Sequence, residues 1–268
     1  MIHRTLAIPL PAVILVLGLC QAGQAQTAPQ ETPTPPSAAQ TTLAPALSAE
    51  QLADLHMARK EFREAAAAFQ QLVDQSPHNA VYLNKLGIAY HQMGQVGLAL
   101  KCYKSAVKAN PSYADAHNNI GTVWYQRKKY GKAIKAYQKA IAVRPEMAVL
   151  HSNLGYAYFS EKKYEEAIRA FRDALALDPQ FFEQMSSRNA SVLQDRSVED
   201  RGRFYFLLAK SFAQSGNVER CLHYLRKARD EGYTSFATVK TDPAFAAVRA
   251  TPEVQDLLAP RPPETAQP

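Results

Sequence analysis

The sequence repeats itself every 34 residues, and this period constrains the fold more than any other feature. Four prolines recur at this step: Pro77, Pro111, Pro145 and Pro179. Four alanines do the same: Ala65, Ala99, Ala133 and Ala167. So do three glycines and four aromatic residues: Gly87, Gly121, Gly155, Phe69, Tyr103, Tyr137 and Phe171. A period of roughly 20 to 50 residues indicates a stack of similar units, each too small to bury its own apolar face.

Within one unit, the apolar residues have helical spacing. Leu86, Gly87 and Tyr90 share one face of a first helix, and Ala99 and Tyr103 share one face of a second. A small residue where two helices cross lets their backbones approach, and a neighbouring ring fills the remaining space. Proline supplies no N–H and ends the second helix. Each unit is therefore predicted to be a helix pair. The low glycine content, 11 in 268 residues, argues against an all-β fold, which would need many tight turns.

This pattern resembles the tetratricopeptide repeat family, and the resemblance covers about half of the chain, residues 46–181, as four units. It implies an all-α, right-handed superhelical solenoid. First helices line a concave groove in this family, and second helices form the convex face. A fifth unit is predicted at residues 202–233, where the internal spacing recurs 20 residues late. The inserted residues 182–201 are expected to form a loop and an extra helical turn, with Ser197 as a helix start.

The sequence before the repeats has the features of an export signal. An apolar run from Leu6 to Cys20 follows two basic residues, and small residues lead to Ala25. Residues 1–25 are therefore predicted to be a signal peptide cleaved near Ala25, giving an exported, periplasmic or secreted protein. There are two alternatives: a lipid anchor attached to Cys20, and an apolar segment that stays uncleaved and anchors the protein in the membrane. Residues 26–47 are rich in Pro, Thr and Ala and are predicted to be a disordered linker.

The sequence after the repeats predicts a cap and a tail. In residues 234–258, Asp242-Pro243 and Thr251-Pro252 each combine an N-cap residue with proline at the first helical position. These pairs predict two short helices that cover the last apolar face of the solenoid. Residues 259–268 contain four prolines and are predicted to be disordered.

The sequence lacks the motifs of the common enzyme classes. It has no nucleophile elbow, phosphate-binding loop, HExxH or paired-cysteine motif, so we expect a non-catalytic protein without a cofactor. His117 and His151 occupy the same position of adjacent units, but two ligands make a poor zinc site and no metal is predicted. Cys102 and Cys221 lie more than three units apart, too far for a disulfide, and Cys221 is expected to be a small buried side chain.

The concave positions implied by the resemblance hold mainly amide and aromatic side chains. An amide can pair with both the N–H and the C=O of an extended peptide, while rings pack against its side chains. We predict a peptide-binding groove with Asn119 and Asn153 as the main contacts. The alternative is that these side chains only face solvent or receive a segment of this chain. The predicted groove residues are Asn84, Lys85, Asn118, Asn119, Tyr125, Asn153, Tyr156 and Phe159.

Positive charge is concentrated in the second and third units. Residues 80–145 contain eleven Lys and Arg and one acid, a local sum of +10 in a chain of net charge +7. A solvated surface is the plainer interpretation. The functional interpretation is contact with an anionic partner, such as lipid, polysaccharide or an acidic protein of the cell envelope; nucleic acid is not expected for an exported protein. We call six of these side chains the basic convex face: Lys101, Lys104, Lys108, Lys132, Lys135 and Lys139.

Overall fold

The computed structural model describes residues 47–184 and 197–259. In this part of the chain, the regular structure consists of helices alone, as predicted. Four pairs come first: α1 (Ala49–Ala58) with α2 (Phe62–Gln75), α3 (Ala80–Gln92) with α4 (Val96–Ala109), α5 (Ala114–Gln126) with α6 (Tyr130–Val143), and α7 (Ala148–Ser160) with α8 (Tyr164–Leu177). The others are α9 (Phe181–Gln184), α10 (Val198–Gln214), α11 (Val218–Asp230), the 3-10 helices η1 (Thr234–Lys240) and η2 (Pro243–Phe245), and α12 (Pro252–Leu258).

Several helices begin where the sequence predicts a cap. The Ser48 hydroxyl accepts a hydrogen bond from the Gln51 N–H, and the Gln51 side chain accepts one from the Ser48 N–H. The Ser197 hydroxyl accepts a hydrogen bond from the Asp200 N–H at the start of α10. Helix α10 has 17 residues, whereas α3 has 13. Helix α10 is therefore about one turn longer than the first helix of the second unit.

The helices stack in a continuous array. From the second unit on, each first helix packs on the second helix of its own unit and on the second helix of the unit before it. Helix α10 packs on α8 in the same way, although the inserted residues separate the two in sequence. The predicted all-α solenoid of about five helix pairs is therefore confirmed.

The crossing within each pair depends on a glycine. A Cβ atom added to Gly87, Gly121 or Gly155 would lie 2.5 to 2.6 Å from the ring that faces it. Because these rings are buried and cannot move aside, only glycine allows the helices to approach this closely. The facing rings belong to Tyr103, Tyr137 and Phe171.

The turn between the two helices of a unit contains a residue with positive φ. It is Gly94 in the second unit and Gly216 in the fifth, where glycine takes this conformation without steric cost. The other three units have lysine at this position, with φ between 56° and 61°: Lys60, Lys128 and Lys162. The turn conformation is thus set by the stacking of the helices around it rather than by the residue in it.

The C-terminal residues cover the end of the array, as predicted. Asp242 and Thr251 are N-cap residues, each followed by proline, and the Asp242 side chain accepts from the Ala244 N–H. Phe245 is fully buried, and its ring centroid lies 5.5 Å from that of Phe206 on α10. Helix η1 was not predicted, because the residues at its start contain no recognisable capping pattern.

Several predictions concern residues outside the described ranges. They are the signal peptide, nearly all of the linker, residues 185–196 of the insertion, and the tail after residue 259. Among the helices of residues 47–184 and 197–259, none combines the length and the hydropathy that a membrane span requires.

Candidate functional site

The predicted groove asparagines form hydrogen bonds with one another between units. Asn119 Nδ2 donates to Asn84 Oδ1 at 2.9 Å, and Asn153 Nδ2 donates to Asn118 Oδ1 at 2.9 Å. The two partners are 35 residues apart in both bonds. We call these four residues the amide ladder. Its bonds join the first helices of three consecutive units.

Burial separates the members of the amide ladder. Asn84 and Asn119 are only 4% and 5% exposed, and Asn118 is also buried. Asn119 therefore offers little surface to a ligand, contrary to the expectation that it would be a main contact. Asn153 is half-buried, so solvent reaches part of its amide.

Two further contacts join the first helices with the same 35-residue offset. The His91 Nε2–H donates to Gln126 Oε1 at 2.7 Å, and the Tyr125 and Ser160 hydroxyls are 3.0 Å apart. Gln126, Tyr125 and Ser160 are half-buried, as is Gln92. Burial lowers the pKa of His91, although its bond to Gln126 opposes this effect. The solvent-facing part of the groove is thus a row of amides and hydroxyls.

Lys85 is not available as a free cation in the groove. Its Nζ donates to Asp54 at 2.8 Å and to Glu50 at 3.1 Å, and both carboxylates belong to α1. The Tyr82 hydroxyl also donates to Glu50, at 3.0 Å. The hydrogen bond from Lys85 is the main reason that the pKa of Glu50 is lowered. This cluster ties the first unit to the second and neutralises the predicted cation.

Two of the predicted aromatic contacts belong to the core. Phe159 is 3% exposed and packs edge-to-face on Phe204, with 5.5 Å between the ring centroids. Tyr156 is also buried and stacks on Phe204 at 5.5 Å. Contrary to expectation, these rings bind the fourth unit to α10 and do not face a ligand. Sequence reasoning missed this because Phe204 lies after the inserted residues, outside the four units that share the 34-residue period.

The two histidines with equivalent positions do not face each other. The His117 Nε2–H donates to the carbonyl of Pro111 at 2.8 Å, and the His151 Nε2–H donates to the carbonyl of Pro145 at 2.7 Å. Each histidine therefore fastens its helix to the preceding loop. Cys102 is half-buried and Cys221 is buried, and both are free thiols. Burial raises the pKa of Cys221 to about 12.

All six side chains of the basic convex face are exposed. They lie on α4 and α6, on the exposed sides of these helices. None of the six forms an ion pair with another described residue, whereas Lys85, Lys163 and Lys210 each do. Their charge is therefore available to a partner.

Comparisons with known proteins agree with this architecture. One family model, described as tetratricopeptide repeat, matches residues 50–96 and 84–148, and a second of the same description matches residues 148–181. No curated protein gives a significant match.

Similar solved structures share low sequence identity with this chain. A MamA crystal structure is 23% identical, covering 68% of this chain and 94% of that chain, with a TM-score of 0.49. MamA from Desulfovibrio magneticus RS-1 is 18% identical, covering 69% and 93%, with a TM-score of 0.49. YrrB, described as a TPR protein with an unusual peptide-binding site, is 18% identical, covering 67% and 82%, with a TM-score of 0.46. From the family models and the stacked helix pairs, we conclude that the chain belongs to the tetratricopeptide repeat family.

Proposed function

We propose that the protein is a non-catalytic scaffold that binds an extended peptide segment of a partner in its concave groove. The tetratricopeptide fold supports a role in protein–protein interaction. The observation that carries the finer proposal is the row of half-buried polar side chains on consecutive first helices. The row consists of Gln92, Tyr125, Gln126, Asn153 and Ser160.

The spacing of this row suits an extended chain. Packed helices lie about 8–10 Å apart, and an extended peptide advances about 3.3 Å per residue. About three peptide residues therefore span each step between neighbouring first helices. A ligand with polar groups at this interval could pair with one unit after another, and its intervening side chains would pack on the ring of Tyr125.

Peptide selection against the full chain tests this proposal. Peptides selected for binding should lose affinity when Gln92→Ala is combined with Asn153→Ala, since both side chains are half-buried. Each lost hydrogen bond should cost about 0.5 to 1.5 kcal/mol, a factor of roughly 2 to 13 in affinity. Lys132→Glu with Lys135→Glu is the control, because these exposed lysines lie outside the groove. If the control abolishes binding and the groove variant does not, the groove proposal fails.

The basic convex face supports a second candidate function, which is contact with an anionic partner of the envelope. Six exposed lysines without ion-pair partners among the described residues favour it. Such an interaction should weaken steeply with salt, because exposed charges are screened beyond about 10 Å at 0.1 M ionic strength. The amide and hydroxyl contacts of the groove should depend little on salt.

We also propose that the protein is exported and cleaved near Ala25, which rests on the apolar run that precedes this residue. Sequencing the mature N-terminus from the native host tests the cleavage. An intact Met1 would contradict it, and an acylated Cys20 would replace it with a lipid-anchored form.

A further inference from the structure

A cleft opens between α6 and the turn that joins α7 to α8. Its volume is about 660 Å³. Lys129, Lys132 and Lys135 come from the third unit, and Lys163 comes from the fourth. The rings of Tyr130 and Tyr158 and the side chain of Ile134 also line it. The cleft thus combines four ammonium groups with apolar surface and with the carboxylates of Glu161 and Glu166.

Three of the four ammonium groups in the cleft have no ion-pair partner in the described residues. The exception is Lys163, whose Nζ lies 3.1 Å from Glu161 Oε2. That contact lacks hydrogen-bond geometry, and Glu161 Oε2 is buried without a hydrogen-bond donor. Four lysines and two carboxylates line the cleft, so it presents net positive charge to a ligand.

The only tryptophan of the chain lies beside this cleft. The Lys132 Nζ is 4.8 Å from the centroid of the Trp124 ring, and the Lys129 Nζ is 5.9 Å from it. Arg127 approaches the same ring at 5.7 Å. These cations rest on an aromatic face in place of an acidic partner. An acid that binds Lys129 or Lys132 should pull the ammonium away from the indole.

We propose that this cleft binds an acidic peptide segment of a partner protein. The inference rests on the second candidate function and names both its site and its ligand. A flat lipid surface would reach the exposed lysines but would not enter a recess between two units. Two carboxylates, Glu161 and Glu166, also line the cleft and would repel a uniformly charged polyanion, whereas a peptide can place acidic side chains against the lysines and its uncharged backbone against these carboxylates. Acidic side chains would pair with Lys129, Lys132 and Lys135, and the rings would pack against the aliphatic parts of the peptide.

The probe is a decapeptide of alternating glutamate and glycine, with glutamine in place of glutamate in the control peptide. Neither contains an aromatic residue, so Trp124 is the only indole in the titration. We expect the glutamate peptide to change the emission of Trp124 saturably at low salt and the glutamine peptide to leave it unchanged. The apparent affinity should fall at least about tenfold between 20 mM and about 300 mM salt, because screening weakens the charge contacts.

Variants locate the site. Lys132→Glu with Lys135→Glu should weaken the glutamate peptide at least about tenfold in calorimetry, because attraction becomes like-charge repulsion. The matched control, Arg63→Glu with Arg226→Glu, makes the same change of charge at exposed helical positions elsewhere and should leave the affinity unchanged. Lys132→Gln with Lys135→Gln should give an intermediate loss, and circular dichroism should show that all variants are folded.

Three results would overturn the inference, and each has a different consequence for the second candidate function. If Lys101→Glu with Lys104→Glu abolishes binding and the cleft variant does not, the anionic partner lies elsewhere on the basic convex face and that function stands. If vesicles of phosphatidylglycerol or inorganic polyphosphate bind and the glutamate peptide does not, the ligand class is wrong and a non-peptide anion replaces it. If none of the three binds at low salt, the inference and the second candidate function both fail.

Discussion

Single residues set how closely the two helices of a unit approach. Gly121 and Tyr137 show this most directly, because a Cβ at residue 121 would lie 2.5 Å from the ring and the ring is buried. Gly97 on α4 is the opposite case, since a Cβ there would meet nothing within 4 Å. The same residue type therefore has a packing role at one site and none at the other.

We predict opposite effects for alanine at these two glycines. Gly121→Ala should destabilise the protein by about 1 to 3 kcal/mol, because the added methyl forces the core apart. Gly97→Ala should stabilise it by about 0.5 to 1 kcal/mol, because alanine has the higher helix propensity. Urea unfolding followed by circular dichroism measures both. Equal effects of the two substitutions would show that the crossing is not tightly packed.

His91 should make the stability of the protein depend on pH. Its Nε2–H donates to Gln126, the Tyr103 ring lies against it, and its Nδ1 is buried without a partner. Its pKa is lowered from 6.5 by burial, so the unfolded state binds the proton more readily. Stability should therefore fall as the pH drops below about 6.5 and continue to fall until the pKa of the folded state is passed.

Denaturant unfolding at several pH values tests this prediction. Between pH 7.5 and pH 5, the unfolding free energy of the His91→Gln variant should change less with pH than that of the native chain. His78→Gln is the control, because His78 lies in an exposed loop. If both variants change the slope equally, His91 is not the group responsible.

At the scale of helices, the amide ladder links the first helices of the second, third and fourth units, α3, α5 and α7. Its bonds join residues 35 positions apart, although the sequence repeats every 34. Each bond therefore joins a residue in one unit to the residue one place beyond its equivalent in the next unit. The two bonds therefore link α3, α5 and α7 with the same lateral offset at each step.

We predict unequal roles for Asn119 and Asn153 in stability. Asn119→Ala should cost about 1 to 3 kcal/mol, because the buried Asn84 Oδ1 loses its donor. Asn153→Ala should cost less than about 1 kcal/mol, because water can replace an amide that is half exposed. Urea unfolding of both variants, with Asn84→Ala and the Asn84→Ala, Asn119→Ala pair, completes a double-mutant cycle. If the loss of stability in the double variant equals the sum of the two single losses, the bond between Asn84 and Asn119 does not stabilise the protein.

The sequence predicts the helix pairs better than the contacts between units. Period and spacing locate the crossing glycines, the Ser48 cap and the start of α10, because each depends on residues near one another in the chain. The burial of Asn119 and Phe159 depends on the rise from one unit to the next and on the position of Phe204 after the insertion. That geometry has no local signal. The lysines of the basic convex face are exposed as expected, since they alternate with the buried stripe of their own helices.

At the scale of the whole molecule, the array has an end that is closed by its own chain. Phe206 faces the buried Phe245, and Lys210 on the same helix pairs with Asp242 at 3.1 Å. The six most buried apolar residues of this cap are Val239, Phe245, Val248, Val254, Leu257 and Leu258. They share one core cluster with α10 and α11.

Removing the cap should therefore destabilise the fifth unit. A chain that ends after Tyr233 should melt at a lower temperature and bind a hydrophobic dye, because α10 and α11 would expose the face that the cap covers. A chain that ends after Ala259 is the control and should melt like the full-length protein. Phe245→Ala should cost about 3 to 5 kcal/mol in the intact chain. Unchanged melting of the shorter chain would show that the cap is not required.

The closed end also restricts how a gene for this protein can lengthen by duplication. In the second unit, Asn84 pairs with an amide of the unit that follows, whereas in α10 the equivalent residue, Phe206, meets the cap. A copied unit added after α11 would meet a ring where it requires an amide, and it would displace the cap. A copy of the third unit placed next to the original would carry both Asn118 and Asn119, one amide for the unit that follows and one for the unit before. Longer descendants of this protein are therefore expected to gain units in the interior and to retain the C-terminal cap.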